Sequence, residues 1–340
     1  MGTAVRAGLA AALWLAAMGS AAAPPASPAA FDANVSSAGF FPRAEAGEAG
    51  VDPEALRGLL DSPTAEASDA LIVVKGGRTV VERYSAGGAR RLPLASVTKV
   101  VLSLAIMALI ADGRVPSEDA RVSRWIAGWN AGAKSRVSLR HVMTHTSGLA
   151  CTPGVAGGDR ILSRQADLVE FASRQPVESE PGTVRCYNNA AVELLAAVVR
   201  GASGKEADVF LNETFFRPMG IDDVSWSKDR TGRPDVYGGL SLNARELAKL
   251  GQLMLQEGRW GERALLPPEV VRRFTSPSRE DPDRGYLWAV ERERVESGRR
   301  TGAPIGFYHT GAFGAVLAVY PRWGLVAVRL RDRRPRAAKN

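Results

Sequence analysis

Two hairpin signals at opposite ends of the chain constrain its fold more than any other feature. Residues 71–75 and 79–84 are strand-like runs on either side of Gly76-Gly77, a two-residue link suited to a tight turn. Residues 315–320 and 325–330 flank Pro321-Arg322-Trp323-Gly324, a second hairpin link, and 286–290 and 307–310 add two more strand-like runs. A lone two-stranded hairpin is marginally stable in water. The N-terminal hairpin is therefore expected to complete a sheet with the C-terminal strands. Between them, roughly 96 to 270, the chain reads mostly as helices separated by Gly, Pro and Asn turns. The expected fold is α/β in the α+β sense, an antiparallel sheet from both chain ends flanked by helices, with an inserted, mostly helical subdomain. The α/β part is placed at 51–113 plus 271–332 and the helical part at 114–270. Asp52 and Pro53 open a short helix as N-cap and first helical residue.

The termini carry different messages. Arg6 precedes apolar residues 7–18 and the small residues Gly19, Ser20, Ala21 and Ala22, which together form a secretory signal peptide over 1–22. A periplasmic or secreted location follows, with residues 23–50, rich in Ala, Pro, Ser and Gly, as a flexible tether. No later stretch is apolar enough to span a membrane. Of the net charge of +8, half sits in the last ten residues, where five cations face only Asp332; residues 333–340 read as a basic tail. The remainder is too weak and too scattered for a nucleic-acid partner, so a small-molecule or peptide substrate is expected. Oligomeric state is not legible.

The chain has no G-x-S-x-G elbow, H-E-x-x-H pair, P-loop or dinucleotide fingerprint. Its three His and two Cys lack zinc-site spacing. No metal or cofactor is expected. What remains is Ser96-Val97-Thr98-Lys99. The S-x-x-K pattern alone is weak and recurs at Ser225-Trp226-Ser227-Lys228, but the second copy leads into turn residues, whereas Ser96 opens an apolar helical run ending at Gly113. Residues three apart share a helix face, so Lys99 reaches the Ser96 hydroxyl. The helix start offers free N–H groups to a developing anion. A lysine activates a serine only when neutral, a state that burial favours. The bland alternative is a capping Ser beside a solvated Lys. Two further segments argue against it. Tyr187 and Asn189 lie on a loop, after Pro181-Gly182, that leads into a helix with Ala190, Leu194, Leu195, Val198 and Val199 apolar. His309-Thr310-Gly311 ends a late strand and leads into a small-residue strand over 312–318, where Gly311 permits close approach of a substrate backbone.

S-x-x-K, then Y-x-N, then [KH]-T-G on a late strand resembles the penicillin-recognising serine hydrolases. This β-lactamase/transpeptidase-like group includes class C β-lactamases, D-Ala-D-Ala carboxypeptidases and related esterases and oligomer hydrolases. The resemblance runs from about residue 50 to 332 and includes His145-Thr146-Ser147-Gly148-Leu149. It implies that Ser96 is the acylated nucleophile, Lys99 its activating base and Tyr187 the proton shuttle. Asn189 would position Lys99 or the substrate amide; His309, Thr310, Gly311 and Ala312 would bind substrate, with the Ser96 and Ala312 amides as oxyanion hole. His141 and His145 read as satisfied polar residues of a tight turn, not as catalysts. His309 stands where the β-lactamases of this group usually carry Lys. A His is largely neutral at pH 7 and attracts a substrate carboxylate less. The implied activity is cleavage of an ester or amide; the alternatives are a β-lactamase or D-Ala-D-Ala carboxypeptidase, and a non-catalytic penicillin-binding-type sensor. The resemblance also brings the segments of Cys151 and Cys186 together, either as a disulfide or as two buried thiols.

Overall fold

A computed structural model describes residues 41–85, 89–151, 161–296 and 299–332 of the 340-residue chain. The expected signal peptide over 1–22, residues 23–40 of the expected tether and the expected basic tail over 333–340 lie outside the described residues. The two chain ends meet in one antiparallel sheet. Its strands are β1 (Ala70–Lys75), β2 (Arg78–Tyr84), β3 (Ala289–Glu296), β4 (Arg299–Thr310), β5 (Val316–Tyr320) and β6 (Leu325–Leu330), in the order β2-β1-β6-β5-β4-β3. First and last strands lie side by side, in register from Ala70 opposite Leu330 to Lys75 opposite Leu325. Gly76 and Gly77 take φ of 56° and 75°, which the tight β1–β2 turn requires and most residues resist.

Alternation along the strands sends side chains to two covered faces. Leu71, Val73, Val316, Ala318, Tyr320 and Ala327 pack with Leu56 and Leu59 of α1 (Pro53–Leu60). Ile72, Val74, Leu317, Val319, Val326 and Val328 join the larger core of the helical side. There α2 (Thr98–Ala111) is buried along nearly its whole length and contacts α3 (Asn189–Ser203). A helix apolar all round belongs in such an interior.

Four expectations are corrected. Helix α4 (Ala244–Leu255) falls within the proposed helical part 114–270, yet it packs on β1, β5 and β6, because that sheet face needs an apolar cover and α4 presents Leu247, Leu250, Leu253 and Met254. Residues 41–50, assigned to the tether, are tied to the edge of β2. Thr79 N–H donates to Pro42 O at 2.7 Å and Ala44 N–H to Thr79 O at 3.0 Å, while Phe41 is buried against Trp260. This covers a sheet edge that would otherwise be open. The strand expected over 286–290 starts only at Ala289, because Leu287 adopts φ 67°. The strand expected over 312–318 starts at Val316, after a tight turn over Ala312–Gly314 with Phe313 also at φ 67°. A further helix, α5 (Pro268–Thr275), contacts α2.

The α4–sheet contact depends on Gly251. A Cβ there would lie 2.5 Å from Val326 Cγ1 and 2.9 Å from Leu317 Cδ1. Gly251→Ala is expected to cost about 1–3 kcal/mol through overpacking, read as a lower urea midpoint with an unchanged slope.

Candidate active site

Ser96 sits in a single helical turn, Ala95–Val97, that runs directly into α2. Ala95 holds φ 47°, a costly conformation for a residue with a Cβ, and it turns the chain sharply just before Ser96. Lys99, one turn further on, is fully buried. Its Nζ donates to Ser96 Oγ at 2.9 Å and to the Tyr237 carbonyl at 2.6 Å. Tyr187 Oη donates to the same Ser96 Oγ at 2.8 Å. Lys99 Nζ also lies 5.1 Å from the Tyr187 ring centroid and 5.6 Å from that of Tyr237. Lys99, read from the same tetrad as Ser96, and Tyr187, read from a separate segment, thus converge on the Ser96 oxygen. The second tetrad does not. Ser225 lies in a two-residue strand opposite Ser241, the tetrad leads into a turn over 230–232, and Lys228 pairs with Asp208 at 2.8 Å.

Tyr187 is placed by the segment before it. Residues 145–150 run beside 176–186: Ala150 N–H donates to Pro176 O, Glu178 N–H to Gly148 O, Gly182 N–H to Thr146 O and Cys186 N–H to His145 O, all at 2.8–2.9 Å. Gly148 allows this approach, since a Cβ there would meet Ser179 O at 2.1 Å. Cys151 and Cys186 are joined by a disulfide with Cα atoms 6.2 Å apart. The His145 ring lies against Tyr187 with centroids 4.4 Å apart, and its Nδ1 accepts from Asn188 N–H at 3.3 Å, which leaves the proton on Nε2. Burial, followed by the Lys99, Arg185, His309 and Arg284 charges, holds His145 well below the usual histidine range. His145 is a neutral platform for the Tyr187 ring. His141 completes a capping box with Ser138.

The residue between Tyr187 and Asn189 escaped the sequence reading. Asn188 caps α3 by accepting from Ala191 N–H at 2.9 Å and donates to Ala150 O at 3.0 Å. Asn189 is the first residue of α3, half-buried, but the hydrogen bonds of Lys99 go to Ser96 and Tyr237 instead. Tyr237 is the second omission. Its turn is bound to the start of α2 because Leu94 N–H donates to Leu240 O at 2.9 Å and Leu240 N–H to Thr98 Oγ1 at 3.2 Å. Beneath the turn lie Glu193 and Asp235, also unrecognised. The signal available was an acidic residue at 193 inside an otherwise apolar helix stretch.

The end of β4 closes the other side. Gly311 is pressed against the 94–95 backbone, where a Cβ would lie 2.3 Å from Leu94 O. The Ala312–Gly314 turn therefore packs against the Ser96 turn, with Ala312 exposed. His309 is buried opposite Leu317, and cross-strand partners share a face, so both project to the helical side. His309 Nδ1 lies 2.7 Å from Leu287 O. A carbonyl only accepts, so this nitrogen carries a proton. Thr310 follows on β4, opposite Val316. Among the described residues, no group of three or more His, Cys, Asp or Glu is arranged to hold a metal.

Two outcomes are expected. The disulfide closes a loop of 35 residues, worth about 4 kcal/mol in the chain-entropy model, and reductant should lower the melting temperature accordingly. His145 is depressed in the fold, so its contribution is complete above the unfolded histidine value of about 6.5 and is lost as pH falls below it. Melting temperatures measured from neutral to acid pH should decline, and less so in His145→Asn.

Comparison with known proteins agrees with this architecture. The family model described as Beta-lactamase matches residues 56–339. A protein of Escherichia coli (strain K12) named "Putative D-alanyl-D-alanine carboxypeptidase" is 23% identical over 297 residues, covering 71% of this chain and 68% of its own length. Esterase EstB of Burkholderia gladioli is 32% identical over 149 residues, covering 39% of this chain and 38% of its own length. The crystal structure of a penicillin binding protein from Bacillus halodurans superposes with a TM-score of 0.64 at 19% identity, covering 78% of this chain and 92% of that one. A match over most of the chain, to a fold of this kind, establishes that the chain belongs to the beta-lactamase family of hydrolases.

Proposed function

We propose that the protein is an exported serine hydrolase that cleaves a small ester or amide through an acyl-enzyme on Ser96. The observation that carries this reading is the convergence of Lys99 Nζ and Tyr187 Oη on Ser96 Oγ, at 2.9 and 2.8 Å. Ser96 Oγ attacks the substrate carbonyl carbon while its proton passes to the Lys99–Tyr187 pair. The carbonyl oxygen becomes an oxyanion that the Ser96 and Ala312 amides receive; one such donor is commonly worth about 3–4 kcal/mol. The tetrahedral intermediate collapses, the bond to the leaving group breaks, and Tyr187 returns the proton to that group. Water then attacks the acyl ester through the same relay and restores the Ser96 hydroxyl.

Export is supported by Arg6, the apolar run 7–18 and the small residues that follow it. The Cys151–Cys186 disulfide is also the chemistry of an oxidising compartment. Substrate choice is argued from His309. Buried and bonded to a backbone carbonyl, it offers a carboxylate less attraction than lysine. Half-exposed Phe313 adds an apolar surface two residues after Gly311. Both favour short, uncharged acyl groups. A second reading, D-Ala-D-Ala carboxypeptidase, is favoured by the name of the Escherichia coli relative.

Ser96→Ala is expected to abolish both hydrolysis of an activated short-chain ester and labelling by a fluorophosphonate, seen by intact mass. Lys99→Ala and Tyr187→Phe should each lower kcat/KM by orders of magnitude, non-additively, because they act as a unit. Ser225→Ala should leave labelling intact; the reverse pattern would assign the chemistry to the wrong serine. Esters should be turned over faster than a penicillin or cephalosporin, and His309→Lys should improve capture of carboxylate-bearing substrates. A cephalosporin kcat/KM near about 10⁸ M⁻¹s⁻¹ in the unmodified protein would overturn the substrate argument.

A further inference from the structure

Glu193 is the only acidic residue of α3 and is 1% exposed. A carboxyl so placed must find strong partners. Its Oε1 accepts from Tyr237 N–H at 2.8 Å, and its carboxyl lies close enough to that of Asp235 for the two to act on each other. Asp235 Oδ1 in turn accepts from Gly238 N–H at 2.9 Å. The two acids therefore grip, from below, the turn whose Tyr237 carbonyl accepts from Lys99 Nζ at 2.6 Å. Two neighbouring carboxyls, one of them fully buried and the other half-buried, oppose each other's ionisation.

We propose that Glu193 and Asp235 hold one proton between them and act as positioning residues, clamping the 235–239 turn so that Tyr237 aims Lys99 at Ser96. The catalytic half of this inference rests on the hydrolase reading above. Besides each other, the charged group that acts most on both acids is Lys99 of α2. Burial acts most strongly on both, pushing Glu193 well above the ordinary carboxylate range and Asp235 upward, and Lys99 pulls both the other way. Glu193, the more deeply buried of the two, is on this proposal the one that carries the proton and donates it to Asp235. In alkali that proton is lost, the paired negative charges repel, and the Tyr237 carbonyl loosens its hold on Lys99.

Glu193→Gln imitates the protonated acid at every pH, since its oxygen still accepts from Tyr237 N–H and its amide donates to Asp235. Glu193→Leu removes the clamp. Ester hydrolysis by the full chain is followed from about pH 6 to 10, across the range in which a raised carboxyl titrates. The Gln variant should keep kcat within about twofold at neutral pH and lose part of the alkaline decline shown by the unmodified protein. The Leu variant should lose about 10- to 100-fold in kcat with little change in KM, the scale of a misplaced catalytic group. Difference infrared spectroscopy supplies a readout independent of turnover. The unmodified protein should show the carbonyl band of a buried protonated carboxyl at neutral pH, absent from Glu193→Gln. Absence of that band, superimposable alkaline limbs, or full kcat in Glu193→Leu would each overturn the proposal. Should Glu193→Leu not fold, the Gln comparison and the infrared band decide. If the unmodified protein fails to label at Ser96, the hydrolase reading falls and the catalytic half of the proposal falls with it, while the band still decides the shared proton.

Discussion

The structure depends on satisfying the amino group of Lys99 in a place that water does not reach. A buried polar nitrogen without acceptors costs several kcal/mol, on the order of 2–7, so every acceptor must come from the protein. Two are present, Ser96 Oγ and the Tyr237 carbonyl, with the Tyr187 and Tyr237 rings alongside. They come from three stretches of chain: the turn into α2, the approach to α3 and the 235–239 turn. Meeting the needs of one lysine therefore brings these elements to one point. The same hydrogen bonds place Ser96 Oγ between Lys99 and Tyr187, so satisfaction of the core and construction of the proposed catalytic centre are one problem with one solution.

The fourth wall comes from the sheet. β4 can reach the Ser96 turn only because Gly311 has no side chain to strike Leu94 O. The sheet is held in place by the pairing of β1 with β6, which joins residues more than two hundred positions apart along the chain. Closing such a distance has a large entropic cost, offset by apolar residues buried on both faces of those strands. Of the five non-glycine residues with positive φ among the described residues, Glu257 lies elsewhere and four lie where these elements meet: Ala95, His145, Leu287 and Phe313. Each lies within the site or directly contacts a residue in it. Conformations that cost about 1–3 kcal/mol persist there because the surrounding hydrogen bonds allow no alternative.

Tyr187 shows how a partly exposed side chain is given a fixed direction. Its hydroxyl must reach Ser96, yet 40% of its surface is exposed. The disulfide holds the preceding residue, Cys186; the following one, Asn188, is anchored to Ala150 O; and the ring rests on His145. That ring is kept neutral by burial and by the cations around it, Lys99 first. A charged imidazole there would repel Lys99; a neutral one supports both.

Much of this was legible in the residues. Period-2 runs around Gly76-Gly77 and 321–324 indicated the hairpins, because side-chain alternation and turn chemistry are local properties. Ser96, Lys99, Tyr187 and the His309-Thr310-Gly311 run could be picked out because each stands at the end of a recognisable element. The limits were non-local. That α4 covers the sheet, that residues 41–50 lie along β2, and that positive φ at Leu287 and Phe313 delays two strands all depend on what other elements leave uncovered. So does the hold on Lys99, which a carbonyl oxygen supplies. A carbonyl is common to every residue and leaves no mark in a sequence; only folding selects Tyr237. The sequence determined which side chains could do chemistry, since reactivity belongs to residue type. The tertiary structure alone decided which backbone atoms and buried acids hold them in position, since distance between remote segments is settled only when the core closes.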